Sequence, residues 1–323
     1  MKLIRISTLA FVLLSGAVAA GADTPLDPAI QLFQAGRYAE AHKTFAAYAA
    51  AHPKDVDGAY WTGRALLGMR DADKAIDWLE KAAKLGPRRS DVFLALGRAY
   101  GRAAQEASLL RKPGLAKNAR AAWDKAVALD PGNLEARGDL VQYHIMAPGF
   151  MGGDVDEARR QADEIGKRDA VQGAIARATI AQGEKDVAGA ERIVQEALVK
   201  SPTNPQLRRT LGLIYQSEKK WEAAFATYEA MLADNADAWD ALYQIGRTAA
   251  LSGQRLDRGA AALKRYLGHT AGPDEPPIAN AHYRLGMILE QQGNRAGARS
   301  EYQAALKLDP SLKDAKEALD KLG

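Results

Sequence analysis

Metal binding and proton transfer need imidazoles and carboxylates clustered at ligand spacing, yet His42, His52, His144, His269 and His282 are widely separated and form no His-x-x-x-His pair. Nucleophilic chemistry fares no better. The chain has no cysteine and no Gly-x-Ser-x-Gly, and Ser90, Ser201 and Ser311 fall where helices are expected to end. The carboxylates Asp77, Glu80, Asp156 and Glu157 sit among lysines and arginines, as on solvated helix faces. The stretch Pro148-Gly149-Phe150-Met151-Gly152-Gly153 has the glycines of a phosphate loop, but neither a preceding strand nor a following Gly-Lys-Ser/Thr. No catalytic constellation emerges, so the expectation is a protein that is not an enzyme, with no metal and no cofactor.

What must position the remaining polar residues is a repeat. Pro53 and Pro87, Gly63 and Gly97, and Gly212 and Gly246 each lie 34 residues apart, a period that reads as stacked helical hairpins. Phe93, Leu96 and Tyr100 share one helical stripe, and the small Gly97 lets a partner helix approach. A second helix follows with a small residue and a bulky one a turn later: Ala41 and Phe45, Ala75 and Leu79, Ala119 and Trp123, Ala224 and Tyr228, Ala298 and Tyr302. Pro53, Pro87, Pro131, Pro202 and Pro310 then break the chain before the next unit.

These residues resemble the tetratricopeptide repeat family, whose unit carries leucine-glycine, tyrosine, alanine, phenylalanine and proline at such offsets. The stretches 106–119 and 147–154 are also similar to a pair that recurs in exported bacterial proteins of this family. The resemblance implies an all-α fold, an α-solenoid of about eight helical hairpins. The repeats are expected at about 28–55, 56–89, 90–133, 134–170, 171–204, 205–238, 239–278 and 279–312, with a C-terminal capping helix at 313–323. Repeat seven ends in the turn-rich segment 272–277, where the array is expected to bend or loosen.

In this family the first helices of successive repeats line a concave groove. Counting within each unit places Asp57, Asp91 and Asp240 at residue two of the unit, Tyr60, Leu94 and Tyr243 at residue five, and Arg64, Arg98 and Arg247 at residue nine, all groove-facing; Tyr283 and Arg177 join them from repeats eight and five. Guanidinium forks beside aromatic rings suit carboxylates and extended peptide. The competing reading is that these arginines pair with acids of the neighbouring repeat and only keep the groove solvated.

Two units are longer than the period. Repeat three carries ten extra residues around Ala104–Gly114, and Ala103, Ala107 and Leu110 keep helical spacing, so its first helix is expected to run on two to three turns until Pro113-Gly114 stops it. Repeat four has its excess at 147–154. Both fall at the turn between helices, which would bring Leu109, Leu110, Phe150 and Met151 together, either packed on one another or forming a docking edge.

Residues 1–22 read as a signal peptide, with Lys2 and Arg5, the apolar run Leu9–Leu14 and small-residue exits; no stable membrane anchor is expected after its removal. Cleavage would lower the formal charge from +4 to +2, because two basic residues and no acid are lost. With no Lys/Arg run interleaved with aromatics, nucleic acid is not an expected partner. The expectation is an exported scaffold, periplasmic or secreted, that binds a protein or peptide partner. The alternative is a periplasmic accessory protein that captures a small molecule.

Overall fold

The structure, a computed structural model, describes residues 24–272 and 275–322. The candidate signal peptide lies outside the described residues. Among those described there are seventeen α-helices and one short 3-10 turn, with no strand, and the chain forms two compact units that divide after Glu184.

In the first unit α1 (Asp27–Gln34) pairs with α2 (Tyr38–Ala51), α3 (Val56–Gly68) with α4 (Ala72–Leu85), α5 (Ser90–Glu106) with α6 (Lys112–Leu129), and α7 (Leu134–Met146) with α8 (Val155–Gly166); α9 (Ala170–Gly183) follows. The second unit begins with α10 (Val187–Lys200) and continues with the pairs α11 (Pro205–Ser217) and α12 (Trp221–Asp234), α13 (Trp239–Ser252) and α14 (Leu256–Leu267), and α15 (Ile278–Gln291) and α16 (Arg295–Leu308). The last helix, α17 (Lys313–Leu322), lays Ala318, Leu319 and Leu322 over the core around Tyr302.

Helix starts are written locally. Asp55, Asp71, Asn133, Asp154, Asp169, Asp186, Asn204 and Asn294 each accept a hydrogen bond from a backbone N–H of the first turn, a cap worth about 1 kcal/mol. Four hairpins turn in three residues whose middle one is left-handed: Gly36, Arg70, Lys219 and Gly293.

Five hairpins are closed by one recurring contact. The glycine of the first helix faces the bulky residue of the second: Gly63 meets Leu79, Gly97 the Trp123 indole, Gly212 the Tyr228 ring, Gly246 Leu263 and Gly286 Tyr302. Leu79, Tyr228, Leu263 and Tyr302 are fully buried. A methyl group at any of these glycines would overlap the facing side chain.

Repeat three departs from the expectation. Helix α5 ends at Glu106, and Pro113-Gly114 does not stop it but opens α6, where a proline in the first turn loses no hydrogen bond. The ten extra residues are shared: α5 and α6 have 17 and 18 residues, against 13 and 14 in α3 and α4, joined by a five-residue turn. In repeat four, Gly149–Met151 forms the 3-10 turn and rests on α6 rather than on an extension of α5.

The end of repeat seven is tied down at its described residues. Tyr266 donates to the Pro276 carbonyl, and His269 stacks on Trp239 at 4.2 Å while its Nε2 lies 2.7 Å from Glu275.

The closing contact makes a sharp prediction. Gly97→Ala forces a methyl against Trp123 and should lower unfolding stability by about 1–3 kcal/mol. Gly114→Ala, exposed in α6 with nothing within 4 Å of a new Cβ, should hold or slightly raise it. Urea denaturation of the two variants measures the difference.

Candidate functional site

The arginines that counting places on one face of the first helices have different fates. Arg98, on α5, reaches forward to Asp139 at 2.7 Å and Glu135 at 2.8 Å on α7. Burial works against its charge, but the two carboxylates outweigh it and hold its pKa above the usual arginine value. Arg177, on α9, lies 3.7 Å from Asp163 in an exposed pair. For these two the structural reading holds.

Arg64 forms no ion pair among the described residues. Its guanidinium lies 4.9 Å from the ring centres of Phe33 and Trp61, 5.5 Å from that of Tyr60, and donates to the Tyr60 hydroxyl at 3.2 Å. Tyr60 is buried, which raises its pKa. The neighbouring acids are already taken: Arg89, which counting missed because it precedes α5, binds Asp91 at 2.5 Å and Asp57 at 2.8 Å.

In the second unit Arg247, on α13, donates to Gln216 of α11, and the buried Gln216 amide donates to Thr248 at 2.7 Å. Burial first, then the like charge of Arg284 on α15, depress the Arg247 pKa. Neither guanidinium forms an ion pair with a carboxylate among the described residues. Arg284 stacks 5.0 Å from the Tyr283 ring centre, and its Nη1 contacts Met287 Sδ at 3.2 Å. Tyr283 is half-buried, while Tyr243 is buried with its ring 5.7 Å from Tyr266.

Around this pair the hydrogen bonding is incomplete. Seven buried side-chain polar atoms among the described residues lack a partner, and five belong to Arg209, Tyr228, Asp240, Gln244 and Arg284. These residues are coupled to one another. Arg209 lies 3.6 Å from Asp240, Gln244 approaches Asp240 at 3.5 Å, and the Tyr228 hydroxyl feels Asp240, Arg247 and Arg209. Burial raises the pKa of Asp240, against the pull of Arg209, and raises that of Tyr228 strongly. Buried polar groups in folded proteins are almost always paired, so this concentration of positive charge and idle polar atoms is suited to an anionic group that also accepts and donates hydrogen bonds.

Sequence reasoning found Arg247, Tyr243 and Tyr283 but missed Arg209, Gln216 and Arg284. Continuing the count from Pro205 would have put Arg209 and Gln216 at the fifth and twelfth positions of repeat six. Arg284 gave no such signal.

At the lengthened turns Leu109, Leu110 and Phe150 are 86%, 95% and 87% exposed, so they are not packed away against one another. Met151 is half-buried, and its carbonyl accepts from the Tyr143 hydroxyl. Backbone bonds from Gly153 to Pro148 and from Asp154 to His144 close that turn without the Phe150 side chain. A cleft of about 400 Å³, open and polar, lies between the α3–α4 turn and the end of α5, lined by Arg70, Asp71, Asp73, Glu106 and Arg111. Among the described residues no group of three or more His, Cys, Asp and Glu is placed to hold a metal, and no helix is long and apolar enough to cross a membrane.

Tetratricopeptide repeat models match residues 26–90, 209–276 and 279–312, together more than half of the chain. The chain belongs to the tetratricopeptide repeat family. Solved structures agree with this tetratricopeptide repeat assignment. A tetratricopeptide repeat protein from Parabacteroides merdae matches at 13% identity and TM-score 0.50, over 83% of this chain and 98% of its own. Yeast Tom70 matches at 15% and 0.65, over 89% of this chain and 58% of its own. A human IFIT1 dimer with m7Gppp-AAAA matches at 17% and 0.56, over 92% and 71%. At these identities the likeness shows the fold, an all-α solenoid of tetratricopeptide repeats. No curated protein sequence matches the chain.

The two classes of arginine should separate in stability. Arg98→Ala strands Asp139 and Glu135 beside each other and should cost about 1–3 kcal/mol. Arg247→Ala relieves the repulsion of Arg284 but leaves the buried Gln216 carbonyl oxygen without its donor, so its net cost should be smaller than that of Arg98→Ala. Thermal denaturation followed by circular dichroism reads both; equal losses would show that Arg247 too is a structural residue.

Proposed function

We propose that the protein is an exported scaffold that grips a carboxylate of a peptide or protein partner between Arg247 and Arg284, on the first-helix face of its second unit. Tetratricopeptide repeat proteins in general bind proteins or peptides. The single observation that carries the reading is the pair of half-buried, like-charged guanidiniums that form no ion pair with a carboxylate among the described residues, beside buried polar atoms of Tyr228 and Gln244 that make no hydrogen bond. A carboxylate relieves the repulsion and accepts from the guanidinium forks. Arg64 over its aromatic rings offers a second, weaker platform for an extended chain in the first unit. Arg98 and Arg177, being internally paired, contribute little to capture.

Export is part of the proposal and is supported by the composition of residues 1–22. N-terminal mass spectrometry of the native protein should find about 20–22 residues removed; intact Met1 in a membrane fraction would contradict it.

Photo-crosslinking in the exported fraction should capture a partner that the Arg247→Ala/Arg284→Ala variant loses by about tenfold or more, since two charge-assisted contacts of about 1.5–3 kcal/mol each are removed. Arg98→Gln should retain it. A partner kept by the double variant would place binding elsewhere.

A further inference from the structure

Eight large apolar side chains are exposed among the described residues, and five of them, Met69, Leu109, Leu110, Met146 and Phe150, lie in or beside the turns that join the helices of hairpins two, three and four. Scattered single exposures are ordinary; five on successive turns are not. The turns of hairpins two and three meet, since Met69 and Arg111 line the same cleft; the turn of hairpin four rests on the middle of α6, where a Cβ at Gly152 would lie 2.7 Å from the Arg120 guanidinium.

The turn of hairpin three projects beyond its neighbours. Both α5 and α6 are four residues longer than α3 and α4, which carries Leu109 and Leu110 about 6 Å farther along the helix direction at 1.5 Å per residue.

Behind that tip the charge is one-sided. Residues 107–123 hold Arg111, Lys112, Lys117 and Arg120 and no acid. The surrounding acids are already paired, Asp73 with Arg111, Asp71 with Lys74, Glu106 with Arg102 and Asp124 with Arg120. Lys112 and Lys117 form no ion pair among the described residues, and α6 has no acid in its first turn.

We infer that this edge is a lipid-seeking tip: Leu109 and Leu110 enter the interface of an anionic bilayer while Lys112 and Lys117 meet its phosphate headgroups. Apolar side chains inserted at headgroup depth with a cationic collar give reversible peripheral attachment, and no spanning helix is needed. Each cation near an anionic surface adds roughly fivefold to partitioning, and the leucines add the apolar part. The inference is independent of the carboxylate site, which lies on other helices.

The test reads the tip itself, because the apolar run Leu9–Leu14 can carry the full chain to a vesicle on its own account. The chain has no cysteine, so Leu110→Cys labels at one position with an environment-sensitive nitrobenzoxadiazole dye, and Val199→Cys, 81% exposed in the second unit, serves as the control. With vesicles containing phosphatidylglycerol the label at 110 should brighten and shift to the blue; with pure phosphatidylcholine it should not, and the label at 199 should stay unchanged with either. Lys112→Glu with Lys117→Glu should lower the response at least tenfold at matched lipid. In the unlabelled chain Leu109→Ser with Leu110→Ser should reduce binding to the anionic vesicles. A silent label at 110 on anionic vesicles overturns the inference, as does an equal shift at 199. A blue shift without lipid that grows with protein concentration also overturns it, assigning the edge to a second copy of the chain.

Discussion

Everything in this molecule hangs on the close approach of two helices at a glycine. In five hairpins an aromatic or leucine side chain of the second helix, sixteen or seventeen residues farther on except in the lengthened hairpin three, occupies the space that a Cβ would fill, and that contact sets the distance between the helices. The α-carbon of glycine is what the ring packs on, so its helix-propensity cost of about 1 kcal/mol is offset by the burial of a whole leucine or aromatic side chain. Once the pair is closed, the outer faces of the two helices are fixed in direction, and the next hairpin has a defined surface to stack on.

The same geometry decides what the polar residues of the first helices can do. An arginine two turns along the first helix faces the next hairpin in both units, and its fate depends on what that hairpin offers. Hairpin four offers Asp139 and Glu135 to Arg98; hairpin eight offers Arg284 to Arg247. One position of one repeat pattern thus yields an internal ion pair in the first unit and an uncompensated cation in the second. Position alone is not function. The difference lies in the neighbour's sequence, and only a spatial arrangement says which neighbour counts.

That is also the boundary of what could be read in advance. The period, the helix pairs, the bulky second-helix residues and the glycine contacts are local or fixed-offset features, and they were legible from Gly63, Gly97 and the alanine-plus-four pattern. The choice between paired and unpaired arginines was not, because it rests on contacts between residues some forty positions apart, such as Arg98 with Asp139. Arg284 was invisible for the same reason, since nothing in its own segment marks it as the neighbour of Arg247. The reading of Pro113 as a stop failed differently: proline ends a helix when it sits inside one but starts one when it sits in the first turn, and the pattern around 103–114 fits either until the partner helix is placed.

The way hairpin three accommodates its extra residues shows why such an insertion can be kept. Added to one helix alone, ten residues would move Trp123 out of register with Gly97 and open the hairpin. Divided as four, two and four, they leave the closing contact where it is and move only the turn outward. The core is therefore indifferent to the insertion, and the stability of the stack gives no reason for Leu109 and Leu110 to be apolar: at 86% and 95% exposure they pack on almost nothing, and serine there would leave the fold intact. The tip is energetically separable from the stack that holds it.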